Sequence, residues 1–362
     1  MQIELPISKS IANRLLILQA IHGDELMPVS DSMPDDVRIM SEAIRLLGER
    51  REARIDLGNC GTAMRFLTAY CAQLEGQTTI LDGVERMRHR PIGQLVDALR
   101  EIGADIEYVG EEGFPPLRIK GCILDKHRIV TINNPQSTQF VSALLLIGAN
   151  VQSDSTSPYI TLTRELIEQY SLASSPYRLS PIALERDWSS AAFWYEFVAL
   201  HGGEIKLPGL HKESLQGDKV VADIFVHLGV DTEYTAEGIT LSPIAYSEAS
   251  YSPLSGRPIA AQAASHSKIL VQDFGNCPDL YPAVALTCER LGIELHATGV
   301  ESLPLKESDR LRAAREHRTD ADHRMAMALL IAGYEVDDTA CISKSYPQFL
   351  EQFHRINTLK LQ

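Results

Sequence analysis

Along the chain, apolar stretches with helical spacing repeatedly end on a glycine and are followed by a short run of alternating apolar and polar residues. The pattern stands at Ile102-Gly103-Ala104-Asp105-Ile106, Ile147-Gly148-Ala149-Asn150-Val151 and His201-Gly202-Gly203-Glu204-Ile205. It returns at Leu228-Gly229-Val230-Asp231-Thr232, Leu291-Gly292-Ile293-Glu294-Leu295 and Ala332-Gly333-Tyr334-Glu335-Val336. Glycine supplies the left-handed residue that ends a helix, and the alternation marks a strand with one buried face. Leu47-Gly48 reads as a further copy, although its strand, Ala53 to Leu57, starts late. Copies roughly 30 to 60 residues apart across the whole chain imply several similar α/β layers rather than one central sheet. A doubly wound α/β protein also ends its helices on glycine, so the joints alone do not separate the two.

At 362 residues the chain is longer than one hydrophobic core usually serves, which predicts two domains. Asp plus Glu number 48 against 34 Lys plus Arg, a formal net charge of −14. That excess argues against nucleic acid or an anionic membrane as partner, since both are bound through basic surface. A small anion held in a local basic pocket stays compatible with it. Met1 to Pro6 shows neither a basic nor an apolar leader segment. Ala326 to Ala332 is apolar but far short of the roughly 20 residues of a membrane span. Cys60, Cys71, Cys122, Cys277, Cys288 and Cys341 stand singly, without metal-ligand spacing, and read as reduced thiols of a cytoplasmic protein. Ala245 to His266, rich in Ser, Pro, Ala and Gly, reads as a loop or linker.

Several short motifs carry chemistry. Ser8-Lys9-Ser10-Ile11-Ala12-Asn13-Arg14 opens a helix whose free N–H groups, with Lys9 and Arg14, suit an anion. Leu57-Gly58-Asn59-Cys60-Gly61-Thr62 is a strand running into a glycine turn and a second helix start. It matches neither a Walker A loop nor a dinucleotide fingerprint. Arg86-Met87-Arg88-His89-Arg90-Pro91 concentrates cations, and Pro91 in a first helical turn places Arg90 near the N-cap of a helix running to Leu99. Ser137-Thr138-Gln139 offers hydroxyls and an amide at a helix start, where Ser137 also serves as a cap. Asp279 stands at the mouth of a helix from Tyr281 to Leu291, suited to capping it or to accepting a hydroxyl proton. Lys306-Glu307-Ser308-Asp309-Arg310 puts Lys306 and Arg310 one helical turn apart, which a surface charge ladder would also do. Asp322-His323-Arg324 and Ser343-Lys344-Ser345 complete the series.

Taken in this order, the segments resemble the enolpyruvyl transferase family, and within it the branch of the shikimate pathway. The likeness runs from Lys9 to Lys344. It implies a two-domain inside-out α/β barrel, each domain built from three βαβαββ repeats, closing on a cleft toward which helix N-termini point. Residues 9–186 would form one domain, and 1–8 with 187–362 the other. The implied reaction transfers the enolpyruvyl group of phosphoenolpyruvate to the 5-hydroxyl of 3-phosphoshikimate, in a cytoplasmic monomer needing no metal or organic cofactor.

By the same resemblance, Lys9, Ser10, Arg14, Ser137, Thr138, Gln139, Thr156, Asp279 and Lys306 would contact 3-phosphoshikimate. Lys9, Asn59, Gly61, Arg90, Gln139, Arg310, Arg324 and Lys344 would contact phosphoenolpyruvate. Asp279, Glu307 and Lys9 would be catalytic. Arginine suits a substrate carrying both phosphate and carboxylate, because its fork recognises either in bidentate fashion.

The chain departs from the family pattern in four places. Pro6-Ile7-Ser8 stands where Pro-Gly-Ser is usual, Cys60 where Ala or Ser is usual, and Ser302 where some relatives bind substrate through Asn. Between Arg315 and Asp322 a strand-rich passage of roughly 25 residues, part of one repeat, is missing. Either the chain lacks it, which would weaken the last repeat, or a mobile stretch is absent from the sequence as numbered. The sister family acting on UDP-N-acetylglucosamine is the nearest alternative, but its reactive Cys is absent from Glu85-Arg86-Met87-Arg88-His89. A noncatalytic anion-binding relative would gain nothing from Asp279 and Glu307 in its pocket.

Overall fold

A computed structural model describes residues 1–172, 185–244 and 269–360. The linker expected at Ala245 to His266 lies outside the described residues. The chain divides into two compact units, Lys9–Ala183 and Met1–Ser8 with Leu184–Gln362.

In the Lys9–Ala183 unit, α1 (Lys9–His22) and α2 (Asp35–Glu49) precede a complete βαβαββ repeat. It runs β1 (Glu52–Asp56), α3 (Gly61–Ala72), β2 (Thr78–Asp82), the one-turn α4 (Glu85–Arg88), α5 (Gly93–Glu101), β3 (Asp105–Tyr108) and β4 (Leu117–Lys120). The sheet order is β1-β2-β4-β3, parallel between the first two strands and antiparallel after them. A second set follows: β5 (Ile129–Thr131), α6 (Thr138–Leu146), β6 (Asn150–Gln152) and α7 (Pro158–Leu172), with β5 and β6 parallel.

The other unit repeats the pattern with a borrowed strand. Its α8 (Trp188–His201), β7 (Ile205–Pro208), α9 (Val221–Val226), β8 (Val230–Tyr234) and β9 (Gly238–Pro243) form the sheet β7-β9-β8. Gln2 bridges Lys206 in parallel, so the N-terminal residues occupy the place of the first strand. Then come β10 (Ile269–Asp273), α10 (Tyr281–Leu291), β11 (Glu294–Thr298), α11 (Arg310–Glu316), α12 (His323–Ile331) and α13 (Phe349–Lys360).

Helices lie inside and sheets outside. Every residue of α3 is buried, as is α8 from Trp188 to Ala199. A helix buried all round is small or apolar on most faces, as α3 is apart from Thr62, Arg65 and Thr68, and α6 packs against it. The strands alternate instead: in β4, Leu117 and Ile119 are buried while Arg118 and Lys120 are exposed. Each sheet thus covers the central helices with one face and meets water with the other. No helix among the described residues is long and apolar enough to cross a membrane.

The glycine joints have the expected left-handed backbone at Gly103, Gly148, Gly202, Gly229, Gly292 and Gly333. Strands β3, β6, β7, β8 and β11 follow the first five. Two expectations fail. Gly48 lies inside α2, which continues to Glu49 and ends at the extended Arg50. Tyr334 to Val336 forms no strand. A strand needs a partner, and the chain passes directly from α11 to α12 through residues 317–322 with no strand between them. His317, Asp320 and Ala321 take left-handed backbone there, which lets the chain turn directly from α11 into α12. The His317 ring stacks on Tyr334 at 4.0 Å and meets the Glu289 carboxylate at 2.8 Å, while Arg312 pairs with Asp320. These contacts brace the shortened repeat.

Candidate active site

In the Lys9–Ala183 unit the motifs gather at helix starts. Lys9 is the first residue of α1, and its Nζ lies 2.9 Å from Oδ2 of Asp36, in the first turn of α2. One turn on, the buried Arg14 guanidinium donates to the Ser10 carbonyl at 2.8 Å, to Thr163 Oγ1 at 2.7 Å, to Ser142 Oγ at 3.2 Å and to the Tyr159 carbonyl at 3.3 Å. Burial lowers its pKa to about 10. No carboxylate pairs with it among the described residues. A buried cation whose bonds all go to neutral groups leaves a positive potential beneath Ser10.

Gly61 begins α3, where Cys60 Sγ caps the helix by accepting the Ala63 N–H. Arg65 Nη1 donates to the Gly61 carbonyl at 3.0 Å. A Cβ on Gly61 would fall 2.4 Å from Arg65 Nη1 and 2.6 Å from Arg90 Nη1. Only glycine lets both guanidiniums come this close to the turn. Ser137 caps α6 by accepting the Gln139 N–H at 3.3 Å, and Gln139 Nε2 donates to Thr62 Oγ1 at 3.0 Å. Gln139, Thr62, Gly61 and Arg90 therefore form one neighbourhood. Thr138 stands beside Gln139 in the first turn of α6, and Thr156 is exposed just ahead of α7.

The cation run around Arg90 does not act as one patch. Arg88 Nε and Nη2 donate to Asp82 at 3.0 and 2.9 Å, His89 is exposed, and Arg90 alone is buried toward Gly61. The helix starts at Gly93 with Ile92 as its N-cap, so Arg90 precedes the cap instead of occupying it.

In the other unit an ion-pair network surrounds Asp279. Its Oδ1 accepts from Arg310 Nη1 at 2.8 Å and lies 3.7 Å from Lys306 Nζ. Its Oδ2 accepts from Arg324 Nη2 at 2.8 Å. Arg310 also donates through Nε to Asp322 at 2.8 Å and through Nη2 to Glu307 at 3.2 Å, and Lys344 Nζ reaches Glu307 Oε1 at 2.8 Å. Burial opposes the Arg310 charge, but Asp322, Asp279 and Glu307 together outweigh it and raise its pKa.

Two expectations are corrected here. Leu280, not Asp279, is the residue ahead of α10, and the Asp279 carboxylate is turned onto cations, where a charge-assisted bond outweighs a cap. Lys306 and Arg310 share no helix face: Lys306 ends the 3-10 turn Leu303–Leu305 while Arg310 begins α11, and they converge on Asp279. Ser302 is partly exposed ahead of that same turn.

Asp36 and Asp218 stood in no motif of the sequence, and Thr62, Arg65 and Asp322, in or beside its motifs, had been given no role of their own. Asp322 is wholly buried, caps α12 by accepting the Arg324 N–H at 2.9 Å, and holds Arg310 with its other oxygen. An acid at a helix start, two residues before an arginine expected to bind, was the available signal. Arg65, four residues beyond Gly61, offered a similar one.

In both units carboxylates now hold cations that suit phosphate and carboxylate ligands. Lys9 rests on Asp36, Arg310 and Arg324 on Asp279, and Lys344 on Glu307. At Lys9, Arg310, Arg324 and Lys344 a bound anion would exchange places with a carboxylate, whereas at Arg14 it would meet a charge bonded only to neutral groups.

The family model for EPSP synthase (3-phosphoshikimate 1-carboxyvinyltransferase) matches residues 49–173, 175–317 and 313–353. The last two stretches meet at the shortened turn. The 3-phosphoshikimate 1-carboxyvinyltransferase of Bacteroides fragilis is 36% identical over 411 residues, covering 98% of this chain and 94% of the relative. That of Cellvibrio japonicus is 31% identical over 432 residues, covering 98% and 96%. Alignments longer than the 362-residue chain place gaps within it. Among solved structures, an EPSP synthase from Acinetobacter baumannii superposes with a TM-score of 0.64 at 18% identity, covering 98% of this chain and 95% of that one. The likeness places the two units in the two-domain inside-out α/β fold.

Proposed function

The chain belongs to the EPSP synthase (3-phosphoshikimate 1-carboxyvinyltransferase) family, and from that premise we infer that it transfers the carboxyvinyl group of phosphoenolpyruvate to the 5-hydroxyl of 3-phosphoshikimate, releasing phosphate, on the route to chorismate and the aromatic amino acids. The observation that carries this reading is the network in which Arg310, Arg324 and Lys306 converge on Asp279 while Lys344 meets Glu307. Such a site holds anions and keeps two carboxylates at hand for proton transfer.

In this reading the 5-hydroxyl oxygen adds to C2 of phosphoenolpyruvate while C3 gains a proton. The tetrahedral adduct then expels phosphate as C3 loses a proton. Asp279 accepts the hydroxyl proton. Glu307 and Lys9 serve proton traffic at C3 and at the departing phosphate. Lys9, Ser10, Arg14, Ser137, Thr138, Gln139, Thr156, Asp279 and Lys306 are assigned to 3-phosphoshikimate. Lys9, Asn59, Gly61, Arg90, Gln139, Arg310, Arg324 and Lys344 are assigned to phosphoenolpyruvate. Arg14 supports the first set, since a buried guanidinium without a carboxylate favours a bound anion nearby. Residues 9–186 and 1–8 with 187–362 are read as the two domains of a cytoplasmic monomer that acts on these two small molecules.

The test is release of inorganic phosphate from phosphoenolpyruvate that depends on 3-phosphoshikimate. Folded protein with no release above background would overturn the assignment. Release that depends instead on UDP-N-acetylglucosamine would move it to the sister reaction.

A further inference from the structure

Asp82, the last residue of β2, is a buried acid that neither substrate set includes. Four bonds converge on its carboxylate. Oδ1 accepts from the Gly83 N–H at 2.8 Å and from Arg88 Nε at 3.0 Å, and Oδ2 accepts from Arg88 Nη2 and Arg54 Nη2, each at 2.9 Å. The Arg88 fork thus grips the acid through two parallel bonds, a geometry that fixes direction as well as distance. Arg88 ends the one-turn α4 and stands two residues before Arg90.

A single helical turn does not hold itself, because nucleation costs more than its few bonds return. Backbone pairing fixes where α4 begins. The Leu57 N–H donates to the Asp82 carbonyl at 2.9 Å, and the Val84 N–H to the Gly58 carbonyl at 3.1 Å. A Cβ on Gly83 would fall 2.4 Å from the Gly58 carbonyl oxygen, so the two strand ends lie backbone against backbone. From there one branch runs through Asn59 and Cys60 to Gly61, and the other through α4 to Arg90, whose guanidinium comes back beside Gly61. The buried Met87 sets the depth of α4 but, being apolar, gives its contact no direction. The contacts of Glu85 with His89 and Arg88 stay within the turn. Arg88 on Asp82 ties the turn to the strand by a directional bond.

We propose that Asp82 is a positioning residue for phosphoenolpyruvate: by gripping Arg88 it fixes α4 and so holds Arg90 against the Gly61 turn. This rests on the reading of Arg90 as a phosphoenolpyruvate contact. The Arg90 N–H donates to the Met87 carbonyl at 3.0 Å, so any roll of α4 carries the root of the Arg90 side chain with it. Arg54 reaches the same Oδ2 from β1 and shares the acid without belonging to α4. Position and charge pull in opposite directions at Asp82. Its negative charge disfavours an anion near Arg90, so charge alone would make its removal tighten binding. Loss of the grip on Arg88 would weaken binding instead.

Asp82→Asn keeps an oxygen for the Gly83 N–H, removes the charge and breaks the fork, since its amide nitrogen would face an Arg88 donor. Steady-state kinetics with each substrate varied in turn follow the result. The KM for phosphoenolpyruvate should rise about three- to tenfold, the effect of a modest misplacement of one binding group, with kcat and the KM for 3-phosphoshikimate little changed. Arg88→Ala should act alike, and the double variant should be no worse than either single one, because both cut the same contact. Its Tm should stay near that of the wild type, since a half-exposed pair contributes little to stability. Arg54→Ala also removes a cation from Asp82 and should leave the KM for phosphoenolpyruvate unchanged. Should Asp82→Asn fail to fold, Arg88→Ala carries the test, with Arg54→Ala as the control for lost positive charge. A KM for phosphoenolpyruvate that falls or stays constant in either single variant, single effects that multiply in the double variant, or an equal rise in Arg54→Ala overturns the inference while phosphate release persists. Absence of phosphate release in the wild type overturns the functional reading, and this inference with it.

Discussion

Arg310 and Asp279 share a 2.8 Å ion pair in which the arginine side chain is 1% exposed and the acid 21%. The cation is fixed from behind by Asp322 and Glu307, while the acid remains within reach of a substrate. That asymmetry suits a base that must meet a hydroxyl while its counter-charges stay in place.

Asp279→Ala should therefore lower kcat by about 10²- to 10⁴-fold, with a smaller effect on KM, because it removes the proposed proton acceptor. It also strips a carboxylate from Arg310 and Arg324, both buried, and breaking such a pair costs up to about 3–5 kcal/mol. Asp322 and Glu307 remain on Arg310, which places the loss toward the lower end. Millimolar phosphate should restore the Tm of the variant more than it raises that of the wild type. An unchanged kcat would remove Asp279 from the chemistry.

Gly61→Ala tests the glycine turn. The added methyl would meet two guanidinium nitrogens at 2.4 and 2.6 Å, so Arg65 and Arg90 must shift. Both are flexible at their far ends, and stability should change little. The KM for phosphoenolpyruvate should rise at least several-fold, while the KM for 3-phosphoshikimate stays near its original value. Steady-state kinetics with each substrate varied in turn decides it, and parallel changes in both constants would refute the placement of Arg90.

The joints at Gly103, Gly148, Gly202, Gly229 and Gly292 were legible in sequence because helix ending and strand alternation are local effects. The joint at Gly333 was not, since a strand needs a partner to pair with, and pairing is a non-local matter. The same limit governed the site. Ser137 as a cap and Gly61 as a turn follow from neighbours in sequence. Asp279 at the mouth of α10 looked like a cap until tertiary structure brought Arg310 and Arg324 to it from residues far along the chain. Asp218 and Asp36 gave no local sign of their partners, Ser189 and Lys9, which lie on other elements.

Asp322→Ala removes a wholly buried acid that both caps α12 and holds Arg310 through Nε. Losing the cap costs about 1 kcal/mol, and exposing Arg310 to an incomplete shell adds several more. Asp322→Asn keeps the cap and loses the charge, so urea unfolding should rank wild type, Asn, then Ala in falling stability. The Asn variant should also show a reduced kcat, because Arg310 loses the contact that aims it. Equal stability of the two variants would show that the cap contributes nothing, whereas an Asn variant as stable as the wild type would show that the cap alone matters.

Glu196 gives a prediction about pH. It lies on α8 with no exposure, and neither carboxylate oxygen has a partner among the described residues. Burial raises its pKa well above the ordinary glutamate value. The unfolded chain gives up this proton near the usual value of about 4.3, whereas the folded protein keeps it. Below that pH both states hold the proton and Glu196 costs nothing through ionisation. As pH rises toward the folded pKa the unfolded state is progressively favoured, by at most about 1.4 kcal/mol per pH unit. Glu196→Gln abolishes the titration, and Glu196→Leu also removes the buried polar group. Urea unfolding across pH should show the stability gain of both variants over wild type growing from about pH 4.5 to 8, with the Leu variant gaining more throughout. A gain independent of pH would mean that Glu196 is ionised in the folded core, with a counter-charge that compensates it.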